Sequence, residues 1–196
     1  HIARQLIQLQ VELEYRLDRQ GHLVPLPGST EQAYYLVHRY ISGYLSYLHH
    51  EIPPTVRESL DRLGPDTAFV APQGILDHFN GVFPCKQRGP FYCYYFPYTP
   101  ASSSFPLVQQ VGNRFEIWID GQPVSWAWSV RANPRCAEIA VDTLPEFRNR
   151  GFARQVSAAW ANAITSQGRT AFFSHAQSNL ASQALAQSLG LVRFST

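Results

Sequence analysis

The 196-residue chain has no methionine, only three cysteines and 15% charged residues. Nowhere does it string together the roughly 20 apolar residues that a membrane-spanning helix requires. With methionine absent and His1 in first place, residue 1 is an arbitrary starting point. Cys85, Cys93 and Cys136 show neither metal-ligand nor paired spacing. An odd count argues against a secreted disulfide framework, so reduced cysteines in a cytoplasmic protein are expected. No charged-then-apolar leader is read at the start. Lysine and arginine number 16 against 14 acids, a net charge of +2. That is too small for a global field, so neither nucleic acid nor a membrane surface is an expected partner. Apolar residues are plentiful, at 45%, and aromatics make up 13%. The chain therefore has material for a core of one domain, or one domain with a subdomain.

Ile2, Leu6, Leu9, Leu13 and Leu17 recur at helical spacing before Gly21 and predict a first helix. "STEQ" at 29–32 has the form of a capping box, and Ala33, Val37, Tyr40, Ile41, Tyr44 and Leu48 continue as a stripe, which predicts a second helix ended by Pro53-Pro54. A short third helix is expected over 54–63. Residues 65–106 are rich in proline, glycine and aromatics, and "FYCYYFPY" at 91–98 fits no single element. From Arg114 the pattern changes. "FEIWI", Asp120-Gly121 and "VSWAWSV" read as a β-hairpin with Val124, Trp126, Trp128 and Val130 on one side, the tryptophans filling core or meeting a helix. A strand over 136–143 follows, then a helix lined by Phe152, Val156, Trp160, Ala163 and Ile164. A strand at 170–175, a helix at about 179–189 and a last strand at 191–194 complete an alternation that implies right-handed crossovers and parallel pairing.

Between strand and helix stands "RNRGFA", Arg148 to Ala153. A helix that begins at a glycine turn directs unpaired N–H groups outward, with about half a positive charge from its dipole. Gly151 lets an anion approach without meeting a Cβ, and Arg148 and Arg150 add full charges. The stretch suits a pyrophosphate, although a solvated loop carries the same residues.

Arg148, Gly151 and Ala153 match the Arg/Gln-x-x-Gly-x-Gly/Ala motif of the GNAT superfamily of acyl-CoA-dependent N-acyltransferases. Asn179, Leu185, Gly190 and, approximately, Leu191 match its later Asn-x-x-Ala-x-x-Leu-Tyr-x-Lys-x-Gly-Phe motif, with Ser182 in place of the alanine. Over about residues 112–194 the chain thus resembles that superfamily, and within it a bacterial group of GNAT-like acetyltransferases. The resemblance implies an α+β fold, a GNAT-type mixed sheet flanked by helices, in a domain over 107–196. A helical, aromatic-rich region over 1–106 would precede it and bear on acceptor choice. It also implies acetyl-CoA as cosubstrate, laid between two splayed parallel strands. Asn149, Arg150, Gly151, Phe152 and Ala153, with Arg148, would hold its pyrophosphate. Val141 and Thr143 would face its pantetheine, Asn179 and Ser182 would flank it, and an N–H around Thr143 would serve the acyl oxygen. The acceptor would be the amine of a small molecule or peptide.

An amine with a pKa near 10.4 must lose a proton before it attacks a thioester. Glu138 and Asp142 share a strand face near the implied site, and Glu138 stands where some GNAT enzymes carry their base. Either carboxylate could equally be an ordinary surface or ion-paired group. The family's tyrosine acid would fall at Ala186, so its role is open. His175 is one candidate for it, Ser182, a water or a tyrosine of 91–98 are others, and His175 could also be merely packed. His49-His50-Glu51 lacks partner ligands at useful spacing and reads as a polar helix end, so no metal site is expected. Asp77, His78 and the serines at 102–104 suggest no triad. The Ile2–Leu17 stripe packs on the domain or on a second copy, which places a homodimer among the expected partners. Two alternatives stand beside the enzyme: an acyl-CoA-binding sensor without turnover, favoured by Ala186, and an acyltransferase using a larger donor or an aminoacyl-tRNA, disfavoured by the low charge. The last strand of the usual fold is expected to be missing, replaced or supplied by a partner.

Overall fold

The computed structural model describes residues 1–30, 32–97 and 105–196. Glu31 of the capping-box reading, Tyr98 of the aromatic run and the serines at 102–104 lie outside the described residues. The chain divides into two compact units, residues 1–90 with 194–196, and residues 91–193.

In the first unit, α1 spans Ile2–Val11 and buries Leu6, Ile7 and Val11. It stops short of the helix expected to reach Leu17, because β1 (Tyr15–Leu17) turns back to pair antiparallel with β2 (Leu23–Pro25). The helix expected over 33–48 is instead a hairpin of β3 (Tyr35–Tyr40) and β4 (Gly43–Leu48), running from Tyr35↔Leu48 to Tyr40↔Gly43. The physical reason is local: "YYLVHRY" is rich in aromatic and branched side chains that favour a pleated surface. Gly43, at φ 139°, supplies a conformation a helix does not contain. Helix α2 (Pro54–Val70) begins where expected, with Pro54 in its first turn, and kinks at Gly64-Pro65, where the short helix was expected to end. Helix α3 (Pro72–Asn80) follows, and Ile52, Leu60, Ala68, Ile75 and Phe79 form the local core. His49 is buried edge-on to Tyr34 at the end of the hairpin, not on a helix.

His38 of β3 places Nδ1 3.3 Å from Ser195 Oγ, and burial pushes its pKa from 6.5 down to about 4. Between those values the unfolded chain binds the proton and the folded chain does not. This contribution is therefore complete above pH 6.5 and lost as pH falls toward 4. His38→Asn is expected to flatten the acid side of the stability profile by on the order of 3 kcal/mol, read by urea unfolding above, within and below that window.

The second unit is built on a seven-stranded mixed sheet in the order β11-β5-β10-β9-β8-β7-β6. Its strands are β5 (Phe91–Tyr95), β6 (Val108–Val111), β7 (Arg114–Ile119), β8 (Gln122–Ala132), β9 (Cys136–Thr143), β10 (Thr170–Ala176) and β11 (Val192–Ser195), of which Val192 and Arg193 belong to this unit. Asp120 and Gly121, at φ 49° and 79°, make the two-residue turn between β7 and β8. Helices α4 (Phe152–Thr165) and α5 (Leu180–Ser188) form the crossovers around β10 and share one core cluster. Trp160, Val156, Ala161 and Ala186 pack there with Ile117, Ala127, Ile139, Ala171 and Phe173.

Trp126 and Trp128 do not belong to that core. Ala127 is buried, and Trp160 Nε1 donates to Ser129 Oγ at 3.0 Å, so the intervening residues meet α4. Alternation fixes which residues share a face but not which face is covered. The aromatic run supplies β5, which lies between β10 and β11 and pairs antiparallel with β10 from Phe172↔Tyr95 to Ala176↔Phe91. No helix among the described residues is long and apolar enough to cross a membrane.

Candidate functional site

Strands β9 and β10 run parallel only from Thr170↔Cys136 to Phe172↔Glu138. Beyond that point β10 stays with β5, while β9 stays with β8 as far as Ser125↔Thr143. The sheet therefore forks. Leu144 N–H donates to Val124 O, which sets the alternation on β9: the main-chain groups of Val141 and Thr143 point away from β8, into the fork.

Glu138 stands at the root of the fork and is 3% exposed. Arg131 of β8 donates to its Oε2 at 2.8 Å, and Ser174 of β10 donates to its Oε1. One carboxylate thus ties three strands together where two of them part. The partnership was hidden from the sequence, because a register shift between Ser129 and Arg131 brings Arg131 opposite Glu138. Asp142 lies four residues along the same strand face, roughly 13 Å away, and is exposed. Its Oδ1 accepts the N–H of Thr143 at 2.8 Å. The expected pair of carboxylates is therefore not brought to one point.

The chain around Thr143 is held on several sides. Ser125 Oγ lies 2.8 Å from Thr143 Oγ1 and donates to the Asp142 carbonyl at 3.1 Å. Arg148 Nε donates to the Thr143 carbonyl at 3.3 Å. A 3₁₀ turn over Pro145–Phe147 then leads to Asn149 and Gly151, both left-handed, at φ 60° and 76°. Gly151 is the N-cap of α4 and gives that helix end no side-chain cap, and a Cβ at Gly151 would meet nothing within 4 Å among the described residues. Phe152 packs against the core while Ala153 is half-buried. The Arg150 guanidinium folds back, donating to Glu146 O at 3.1 Å and lying 5.0 Å from the Phe147 ring centre. The first turn of α4 is thus an open array of N–H donors beside one arginine that braces the strand end.

Asn179 is the N-cap of α5, with Oδ1 accepting from Ser182 N–H at 3.0 Å, so that oxygen is already in use. His175 is buried on the opposite face of β10 from Ser174, its ring 5.5 Å from Tyr94 and 5.6 Å from Phe173. Burial also pushes the Tyr94 phenol up. His175 Nδ1 lies 2.8 Å from the Ala176 carbonyl, while Nε2 is buried with no partner among the described residues. A proton on Nδ1 leaves a neutral ring with an acceptor at Nε2, so only the imidazolium could donate there. Ala186 is fully buried in the core. Among the described residues, no three histidine, cysteine, aspartate or glutamate side chains gather as metal ligands.

Residues 107–195 match the GNAT acetyltransferase family. No curated protein matches the chain. An acetyltransferase of the GNAT family from Colwellia psychrerythraea resembles it in fold at a TM-score of 0.52 and 15% identity, covering 77% of this chain and 74% of that one. A GNAT-family protein of Novosphingobium aromaticivorans gives 0.50 and 18%, covering 57% and 67%. At such identities the likeness concerns the fold.

Proposed function

From the match of residues 107–195 to the GNAT acetyltransferase family, we propose that the protein transfers an acetyl group from acetyl-CoA to the amine of a small molecule or peptide by direct attack. The observation that carries this reading is the fork at Glu138 opening beside the uncapped amino end of α4. A nucleotide diphosphate fits over residues 149–153, where N–H donors and the helix dipole favour negative charge. The pantetheine then follows β9, where Val141 offers main-chain groups that no strand takes up. Glu138 is the base in this reading. Its oxygens are enclosed, so the proton reaches it by way of the Ser174 hydroxyl. Arg148 holds the strand end to the phosphate turn. Nitrogen gains a bond to the acyl carbon as the carbon–sulfur bond breaks, and the thiolate leaves with both electrons and is protonated.

The test is to follow free thiol while the protein meets acetyl-CoA and a panel of amines, with binding measured by calorimetry. Heat with acetyl-CoA and amine-dependent thiol release support the proposal. No heat at millimolar concentration overturns it. The buried Ala186 favours one second reading, an acyl-CoA sensor, which the same experiment would reveal as binding without turnover on any amine.

The phosphate cradle is tested separately by Gly151→Asp. Aspartate tolerates the left-handed conformation better than most residues, so the turn survives, but its charge faces the diphosphate. CoA affinity is expected to fall by on the order of 10- to 100-fold, and the deficit should shrink at high salt.

A further inference from the structure

The proposed reaction brings an amine to Glu138 at the root of the fork, and the sheet fixes the side from which it comes. Ala137, Ile139 and Phe173 pack into the core with α4 and α5, so Glu138 and Ser174 project from the opposite face. On that face the strand registers set two neighbouring rows: Arg114, Trp128 and Ala140, then Glu116, Trp126 and Asp142. A strip therefore runs from Ser174 past Ala140 and Trp128 to Trp126 and Asp142. Ser174, Ala140 and both tryptophans are half-buried, and Asp142 is exposed. We infer that this strip binds an acceptor with two amino groups on a linear aliphatic chain, one reacting at Glu138 and the other staying charged beside Asp142 and Trp126. The inference rests on the proposed acyl-CoA reading and names the acceptor class for that same site.

Charge pairing carries it. Three carboxylates stand on this face of β7 and β9, and the chain's own arginines answer two of them. Arg114 Nε lies 3.0 Å from Glu116 Oε1, while Trp118 Nε1 donates to Glu116 Oε2 at 2.9 Å. Arg131 pairs with Glu138 at 2.8 Å. Among the described residues no cation pairs with Asp142, whose Oδ1 accepts the N–H of Thr143. Its partner across the strands, Trp126, already has the Arg114 guanidinium 4.9 Å from its ring centre, and an ammonium on Asp142 comes beside the same indole. The reacting nitrogen cannot supply this attraction, because it must be neutral to attack. A second amine, with a pKa near 10.4, keeps its charge at neutral pH. The Cα atoms of Glu138 and Asp142 lie roughly 13 Å apart, and a hydrogen bond of about 3 Å at each end leaves roughly 7 Å between the nitrogens, the span of a diaminopentane. Ala140 and Trp128, between the two ends, suit methylene groups better than polar ones.

The experiment follows thiol release from acetyl-CoA with diaminopentane, pentylamine and aminohexanoate, whose far ends are positive, neutral and negative, in the wild type and Asp142→Asn. Asparagine still accepts the Thr143 N–H, so the strand end is kept. Per reactive amine, kcat/KM in the wild type should fall in that order, diaminopentane exceeding pentylamine by roughly five- to tenfold, as an exposed ion pair and a cation–π contact together supply. In Asp142→Asn the three should converge to within about twofold, and the wild-type preference should narrow at high salt. Equal values for diaminopentane and pentylamine, or a preference that survives Asp142→Asn, overturns the inference and leaves the acyl-CoA reading standing. Absence of thiol release on these and all other amines overturns the reading and the inference with it.

Discussion

Glu138→Gln is expected to lower kcat/KM for acetyl transfer by about 10²- to 10⁴-fold, the range over which a positioned base contributes. An alkylammonium at neutral pH has no lone pair, and the thioester carbon waits for one. Glutamine keeps the shape and still accepts from Ser174, so the tie between β9 and β10 persists. The ion pair with Arg131 is lost, but that side chain is 33% exposed and water takes up its charge. The variant should thus bind acetyl-CoA nearly as the wild type does. Ser174→Ala, which cuts the relay and spares the carboxylate, should cause a smaller loss. Steady-state thiol release across pH checks both, and a decline of less than about threefold in the Gln variant would move the base elsewhere.

Trp160→Ala should destabilise the second unit by about 3–5 kcal/mol. Trp160 is 1% exposed, lies 6.0 Å from the Phe96 ring, and its Nε1 donates to Ser129. Truncation leaves a cavity under the sheet and an unanswered hydroxyl on β8. Trp126→Ala should cost far less, because Trp126 is half-buried on the other face and meets the Arg114 guanidinium, 4.9 Å from its ring centre. Urea unfolding of both variants decides the matter. Comparable losses would mean that the two faces of the hairpin contribute alike, contrary to the packing described above.

What could be read from the sequence follows from how local each determinant is. The Asp120-Gly121 turn, the apolar face of α4 and the glycine before it are all set by residues close together in the chain, and each lies where the spacing predicts. Residues 33–48 mislead because their apolar positions satisfy a helical count as well as an alternating one. Branched and aromatic side chains decided between the two. Strand β5 escapes recognition for a different reason: its partner β10 lies some seventy-five residues downstream, and no local pattern carries that pairing. The candidate site divides the same way. Gly151 and Arg148 announce themselves by neighbours, whereas Ser174 and Arg131 acquire meaning only when three strands converge on Glu138.

The placement of β5 bears on how this domain could be inherited or transplanted. The segment that carries the family likeness begins at 107, after β5, yet β5 fills the slot between β10 and β11. A gene fusion or excision that respected the likeness alone would strip β10 of its neighbour and bare two strand borders to other chains. The compact unit starts at Phe91, so a breakpoint between 91 and 107 would divide it.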